Sequence, residues 1–376
     1  MTRTVRSVIA APQPPVPEAA PFDDERAEAF AGRMVGVLDD ACVALMASIG
    51  HQVGLFDAMA SLPPSTTQQV ADAVGLHERY VREWLAAMTV ARVVEHDPDA
   101  ATFRLPPEHA ACLTRDAGPE NMAHVMQFVS LLAQVEGDVT GAFQRGGGVG
   151  YEAYPTFHRL MAEDSATVHD SLLLEEIVPL VPGLDQHLTE GAVVADIGCG
   201  SGHAINLLAG AYPSSTFVGY DFSSEAIAAA RDEALALGLT NATFEQRDVA
   251  ELALVEAVDL VTAFDAIHDQ AHPAVVLSNI ARMLRPGGTF LMAETRASSH
   301  VHNNHDLPAP VFLYTVSCMH CMTVSMSQGG DGLGAAWGQE LAVRMLEDAG
   351  LGGCEVRHIE ADWFNSYYIA TRPHVS

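Results

Sequence analysis

Lysine is absent from this sequence of 376 residues, so its 19 basic residues are all arginines. They face 48 aspartates and glutamates, which leaves a formal net charge of −29. Nucleic-acid phosphates and anionic lipid surfaces both attract basic proteins. We therefore expect neither a nucleic-acid partner nor a membrane partner.

Cysteine and long apolar runs are also scarce. The six cysteines are scattered between Cys42 and Cys354, unlike the dense pattern of a disulfide framework. No stretch reaches the ~18 uninterrupted apolar residues that a membrane span needs. These absences favour a protein of the reducing cytoplasm.

The apolar content and the length predict two domains. Hydrophobic residues make up 49% of the chain, which is enough for two cores. Residues 1–22 are rich in proline and predict a disordered tail, with a functional arm as the alternative. The patterns then change from a mostly helical domain at 23–115, through a helical linker and active-site lid at 116–190, to an α/β domain at 191–376.

A glycine-rich bend organises the α/β domain. The apolar run Ala192–Ala195 reads as a buried parallel strand and ends at Asp196. Gly198, Gly200 and Gly202 follow, before an apolar pattern typical of a helix. Glycines there let the chain turn sharply and let a ligand approach the backbone.

Further strand-like runs follow at the spacing of a nucleotide-binding fold. The run Thr216–Tyr220 ends in Asp221, about twenty residues after the bend, where an acid can hold a ribose diol. Asp248 follows the next run. The later strand-like runs are Ala242–Glu245, Val258–Asp265 and Leu284–Met292.

These motifs, in this order, resemble a class I S-adenosylmethionine-dependent methyltransferase domain over residues ~190–370, an α/β Rossmann-like fold with seven strands. Another Rossmann-like nucleotide binder is the alternative. The resemblance implies that the glycines approach the methionine part of the cofactor, that Asp221 holds the ribose hydroxyls, and that Asp248 and Val249 flank the adenine. The implied cofactor residues are Asp196, Gly198, Cys199, Gly200, Gly202, Asp221, Phe222, Asp248, Val249, Phe264 and Asp265.

The N-terminal pattern of helices followed by a hairpin is the order of a winged helix. Residues 49–60 and 103–115 resemble the N-terminal domain of plant and bacterial small-molecule O-methyltransferases, which builds a homodimer in that family. DNA binding is the alternative. Arg79 and Arg82 are balanced by Glu78 and Glu83 on the same predicted helix, so dimerisation is favoured.

An aromatic cluster lies just before the α/β domain. Tyr151, Tyr154, Phe157 and His158 are placed to cap the cofactor cleft and to line an acceptor pocket. They could equally cement an interface between domains, and the two roles are compatible.

The candidate base follows the fourth strand of the α/β domain. Small-molecule O-methyltransferases carry a His-Asp pair there, and by this resemblance His268 deprotonates the acceptor hydroxyl, with Asp269 beside it. An imidazole suits this task because it titrates near neutral pH. Glu294 is expected to orient His268 or to bind substrate. The alternative is that His268 only caps the next helix.

A segment rich in histidine and cysteine follows the fifth strand of this domain. Cys318, His320 and Cys321 are too closely spaced for a standard metal motif, so we expect no metal. His320 is instead assigned to the acceptor pocket.

Together these features predict a cytoplasmic, homodimeric enzyme that uses S-adenosylmethionine to methylate a hydroxyl of a small molecule. A cyclase or other enzyme that uses the same cofactor without methyl transfer is one alternative. A DNA-binding regulator that senses the cofactor is another.

Overall fold

The computed structural model describes residues 22–374, apart from the side chain of His158. The proline-rich tail predicted for residues 1–22 lies outside the described residues, except for Phe22. By its internal contacts the chain divides into two compact units, Met1–Cys42 and Val43–Ser376. The boundary falls inside the first helix, α1, which spans Asp24–Gln52.

Helix α1 carries a row of exposed apolar side chains. In the first unit they are Phe30, Met34, Val35, Val37 and Leu38. Among the described residues, α1 alone is long and apolar enough to cross a membrane, judged by length and composition, with a mean hydropathy of 1.4. The exposed Asp39 and Asp40 interrupt this apolar surface. An apolar face left open to water is typical of a surface that packs against a partner.

The second unit begins with the predicted winged-helix order. Its elements are α2 (Leu55–Ser61), α3 (Thr67–Val74), α4 (Glu78–Val90), β1 (Glu95–Asp97) and β2 (Thr102–Arg104). Helix α3 starts at a capping box, in which Thr66 and Gln69 bond each other's backbone N–H groups. It ends at Gly75, whose φ of +67° suits glycine. Trp84 and Ala47 belong to the core shared by these helices.

Short helices connect this region to the sheet. They are α5 (Pro107–Ala110), α6 (Met122–Val125), α7 (Gln127–Gln134), α8 (Glu136–Arg145), α9 (Phe157–Leu172) and α10 (Leu184–Glu190). The 3-10 helices of the described chain span Arg115–Glu120, Tyr151–Ala153, Val178–Leu180, Val249–Glu251 and Val301–Asn303, and its π-helices span Leu173–Ile177 and Ser317–Cys321.

A seven-stranded sheet in the order β5-β4-β3-β6-β7-β9-β8 forms the rest of the unit. Its strands are β3 (Val193–Ile197), β4 (Thr216–Asp221), β5 (Ala242–Gln246), β6 (Val258–Phe264), β7 (Leu284–Thr295), β8 (Gly352–Ile359) and β9 (Asp362–Thr371). Strands β3 to β7 are parallel, and β9 is antiparallel to both of its neighbours. The sequence alone suggested that the last strand lies at an edge. That expectation is wrong, because β9 lies between β7 and β8.

Helices cover both faces of the sheet. They are α11 (His203–Ala211), α12 (Ser224–Ala236), α13 (Pro273–Met283) and α16 (Gln339–Asp348), while α14 (Pro310–Val316) and α15 (Met322–Ser327) lie between β7 and α16 in the chain. Alternate residues of β3 enter different cores: Val194 packs with α11, and Ala195 packs with α13. The chain reverses its direction of travel across the sheet between β3 and β6. Ligands of open α/β sheets bind at such a point.

Candidate active site

The glycine bend follows the carboxyl end of β3. Gly198 and Gly200 have φ angles of +67° and +53°, which glycine adopts without strain. A Cβ on Gly198 would lie 2.5 Å from the Cβ of Ala266, so no larger side chain fits. At Gly200 no atom lies within 4 Å of the Cβ position. The bend therefore presents bare backbone to open space.

A cleft of about 430 Å³ opens above this bend. Every implied cofactor residue except Gly202 lines it: Asp196, Gly198, Cys199, Gly200, Asp221, Phe222, Asp248, Val249, Phe264 and Asp265. Gly202 is the exception because it serves packing instead. A Cβ there would lie 2.5 Å from the ring of Phe244 and 2.6 Å from the Cβ of Ala230.

The acids of the cleft are held by backbone N–H groups and hydroxyls. Asp221 ends β4 and accepts the N–H groups of Gly200 at 3.0 Å and Ser223 at 2.8 Å. Asp248 accepts the N–H of Ala250 at 2.8 Å and so caps a 3-10 helix. These bonds fix where each carboxylate stands before any ligand arrives.

Burial raises the pKa of two acids that line the cleft, Asp196 and Asp265. Burial, partly offset by the hydroxyl of Thr262 at 2.6 Å, raises the pKa of Asp196 to about 7. Burial, followed by the charge of Glu294, raises the pKa of Asp265 well above its ordinary value. A cation in the cleft would favour the ionised form of both carboxyl groups.

The predicted base, His268, lies behind the cleft wall beside Glu294. The Nδ1 atom of the ring is hydrogen-bonded to Glu294 Oε2. The other oxygen, Oε1, accepts the backbone N–H groups of Ile267 at 2.9 Å and His268 at 3.3 Å. Trp337 donates its indole N–H to Oε2 at 3.2 Å. Glu294 is fully buried, so this network orients the ring rigidly.

Asp269 and Cys321 face the other edge of the His268 ring. The Nε2 atom lies 3.3 Å from Asp269 Oδ1, and Cys321 is also a hydrogen-bond partner of the ring. Asp269 lines the cleft, whereas His268 is only 3% exposed. Asp269 therefore stands between the imidazole and the cleft.

Neighbouring carboxylates raise the pKa of His268. Burial alone would lower it, but Glu294 and then Asp269 outweigh burial and hold the pKa well above the ordinary value. The ring is a stronger base than a free imidazole, and it is charged over a wider pH range. His268 does not cap the next helix, α13, whose N-cap residue is His272.

The predicted acceptor residues divide into two groups. Tyr151 and Phe157 line the cleft, and the hydroxyl of Tyr151 donates to Asp269 Oδ2 at 3.3 Å. Tyr154 and His320 do not line it. Tyr154 is 2% exposed and donates its hydroxyl to the carbonyl of Met319, while His320 is 1% exposed and stacks on Phe157 at 3.7 Å between ring centroids. Tyr154 and His320 therefore pack behind the residues that line the cleft. The side chain of His158 is not among those that the structure describes.

Sequence reasoning missed several members of the site. Arg159, His169 and Arg247 line the cleft without having been singled out. Cys321 was considered only within its local cysteine and histidine cluster. Cys321 and His268 are far apart in the chain, so the spacing of nearby residues could not predict their contact.

Family models match two parts of the chain. Residues 41–115 match a model described as an Rv2258c-like winged HTH domain. Residues 188–350 match a model described as a methyltransferase domain.

Curated relatives match over shorter stretches. The trans-aconitate 2-methyltransferase of Methylobacterium nodulans is 38% identical over 101 residues, 27% of this chain and 37% of that protein. The fatty-acid O-methyltransferase of Mycolicibacterium smegmatis is 33% identical over 108 residues, 28% of this chain and 38% of that protein. The chain thus spans less than half the length of these relatives.

Solved structures match over nearly the whole chain at lower identity. Human N-acetylserotonin methyltransferase in complex with S-adenosylmethionine has a TM-score of 0.65 at 16% identity, covering 95% of this chain and 100% of its own. The mitomycin 7-O-methyltransferase has a TM-score of 0.66 at 18% identity, covering 92% of this chain and 99% of its own. At such identity the likeness shows the fold.

The predicted fold class is confirmed: a mostly helical winged-helix region precedes an α/β Rossmann-like sheet of seven strands. The chain therefore joins a region that matches a winged helix-turn-helix domain to a region that matches a methyltransferase domain.

Proposed function

We propose that this protein binds S-adenosylmethionine in the cleft above β3 and transfers its methyl group to a hydroxyl of a small molecule. One observation carries the proposal. A buried His268–Glu294 pair lies directly behind the wall of a cleft that contains nearly all of the implied cofactor residues. A nucleotide-binding cleft alone would not require an oriented base.

The residues present fit the cofactor. The open space above Gly200 admits a ligand against the backbone, and Asp221 stands where a ribose diol would be bound. Asp196 and Asp265 supply negative charge when ionised, which suits the sulfonium and ammonium groups. When bound, the cofactor supplies a methyl group that is already activated for displacement.

His268 would take the acceptor's proton at Nε2. Because Glu294 engages Nδ1, Nε2 is the nitrogen that faces the side of the ring toward the cleft. Asp269 would accept a hydrogen bond from the acceptor hydroxyl and position it. The acceptor's O–H bond would break as its proton moves to Nε2, and the oxygen would take the methyl group while the bond between that methyl group and the cofactor's sulfur breaks.

Charge favours a hydroxyl over a carboxylate as the acceptor. The groups around His268 are Asp269, Glu294 and Asp265, and a second anion would be repelled by those that are ionised. In this respect the chain would differ from its relatives, which are named for trans-aconitate and for fatty acids, both of them carboxylic acids. We therefore expect phenols to be methylated and matched carboxylic acids to be poor acceptors. Aromatic acceptors also suit the rings of Tyr151 and Phe157.

The test compares a panel of phenols with matched carboxylic acids, amines and thiols, by release of S-adenosylhomocysteine. Methylthioadenosine as the product would instead show attack on the aminocarboxypropyl chain and reject methyl transfer. Calorimetry with S-adenosylmethionine alone measures binding separately, and undetectable binding would overturn the whole proposal.

We also propose that the protein is a homodimer of the cytoplasm. The exposed apolar row on α1 supports a dimer, and all six cysteines are free, as a reducing compartment requires. Light scattering after size exclusion should give twice the chain mass. Leu38→Glu, at a residue 65% exposed, should shift the protein toward monomer.

A role in DNA binding is less well supported. On α4, Arg82 pairs with Glu78 at 2.8 Å and Arg79 pairs with Glu83, so neither arginine is available for phosphate contacts without breaking an ion pair. Retardation of DNA in a low-salt gel shift would restore that alternative.

A further inference from the structure

Three side chains from three helices converge away from the catalytic cleft. They are His51 in the last turn of α1, His124 in α6 and Glu163 in α9. One possible ligand atom from each lies within 4.8 Å of the others. All three belong to the second compact unit.

Each of the two buried imidazoles has one nitrogen without a hydrogen-bond partner among the described residues, Nδ1 of His51 and Nε2 of His124. His51 is 5% exposed. His124 is 8% exposed. Its Nδ1 lies 3.6 Å from Glu163 Oε2 and its Nε2 lies 3.7 Å from Asp164 Oδ1, both too far for good hydrogen bonds. Buried polar atoms of this kind ordinarily have a partner.

A metal ion binds a neutral imidazole through the lone pair of one ring nitrogen. Carboxylates balance the charges of the two nearby arginines, because Asp57 pairs with Arg115 and Glu163 pairs with Arg159.

Surrounding groups hold the three residues in place. Arg115 donates to the carbonyl of His51 at 2.8 Å, and the side-chain amide of Gln127 donates to the carbonyl of His124 at 3.3 Å. The second carboxylate oxygen of Glu163 accepts from Arg159 at 2.7 Å. Metal sites rely on outer contacts of this kind to orient their ligands.

We propose that His51, His124 and Glu163 bind a zinc ion. Two imidazoles and one carboxylate are a known zinc donor set, with bonds of about 2.0–2.2 Å that place ligand atoms about 3.4 Å apart. The three ligand atoms lie within 4.8 Å of one another, so they have to close by at most about 1.4 Å, and the Glu163 side chain is exposed and can move. A fourth position is left for water or for Asp164.

The site would act on the cleft through helix α9. Met161, Ala162 and Ser165 of this helix line the cleft, and Glu163 stands among them in the chain. Zinc at Glu163 would tie this wall of the cleft to the ends of α1 and α6. The function is therefore structural, and it does not depend on the reaction proposed above.

The test titrates zinc alone into full-length protein that has been stripped with a chelator, and counts bound metal by elemental analysis. We expect one tightly held equivalent. His51→Gln and His124→Gln should lose it, and Glu163→Gln, at an exposed residue that is safe for folding, should weaken it by about tenfold or more.

Two controls separate this site from other histidines. The His300→Ala, His302→Ala double variant removes an exposed stacked pair and should keep the full equivalent. Cys321→Ser alters a second cluster, formed with His268 and Asp269, and should also keep it. Substoichiometric binding by the unmodified chain, undiminished binding by Glu163→Gln, or loss of zinc only in Cys321→Ser would each overturn the proposal.

Discussion

Two clusters of buried histidine in this protein differ in how their charge is balanced. At His268 a fully bonded Glu294 faces the ring, and the pKa of the imidazole is raised. At His51 and His124 the carboxylates stand farther away, arginines are near, and the pKa values are lowered. One arrangement favours a charged imidazole, and the other favours two neutral ones. The partner, rather than burial, decides which chemistry a buried histidine can perform.

The sharpest test of this difference removes the proposed base. His268→Ala should lower turnover by about 10²–10⁴-fold, the usual contribution of a general base, while calorimetry still detects S-adenosylmethionine binding. His300→Ala is the matched control, because that residue is exposed. Unchanged turnover in His268→Ala would reject the base role.

Removing the carboxylate should make the base weaker without deleting it. Glu294→Gln lowers the pKa of His268, so the rise of kcat/KM with pH should move to lower pH, and the plateau should fall by about tenfold or more. In the unmodified enzyme kcat/KM should rise at a pH above the ordinary pKa range of histidine, because the His268 ring must lose its proton before it can act as a base. A profile that does not move would mean that Glu294 has only a structural role.

Metal removal should affect stability rather than charge balance at His268. With free zinc at about 100 times its dissociation constant, binding contributes about 2.7 kcal/mol to the free energy of unfolding. Chelation should therefore lower Tm by about 5 °C or more, and His124→Gln should show no such response. If chelation lowers Tm equally in the unmodified protein and in His124→Gln, the stabilising metal binds at a site other than His51, His124 and Glu163.

The smallest expected effect is the pH dependence of cofactor binding, which should follow the ionisation of Asp196 in the cleft. Asp196 has a pKa of about 7 and is mostly protonated below that pH, whereas a bound cation favours its ionised form. Binding of S-adenosylmethionine should then release protons and tighten about three- to tenfold between about pH 6 and pH 8. Asp196→Asn, which can still accept the Thr262 hydroxyl bond, should flatten this dependence.

The sequence predicted those parts of the fold and site that depend on local pattern. Gly75 and the Thr66–Gln69 box set helix α3, and the glycine bend with Asp221 placed the cleft. The approach of Glu294 to His268 was expected from the position of Glu294 at the end of the fifth strand, and the structure brings the two together. Their roles in catalysis stay predictions.

Long-range packing decided what the sequence could not show. Gly202 follows Gly200 at the same two-residue spacing as Gly200 follows Gly198, but its lack of a side chain makes room for Phe244 of β5 instead of a ligand. Tyr154 was predicted to line the cleft, but its hydroxyl donates a hydrogen bond to the carbonyl of Met319 and its ring is buried behind the cleft wall. Three helices far apart in the chain bring His51, His124 and Glu163 together, and no spacing rule predicts that.

The burial of Cys321 has a practical consequence for handling the enzyme. Burial, then the charge of Asp269, raises the pKa of this thiol to about 12, so almost none of it is thiolate at neutral pH. Alkylating reagents such as iodoacetamide attack the thiolate. Although this sulfur atom lies beside the proposed base, the Cys321 thiol of the folded protein should react slowly with such reagents and should need no added reductant, whereas the exposed Cys42 should react.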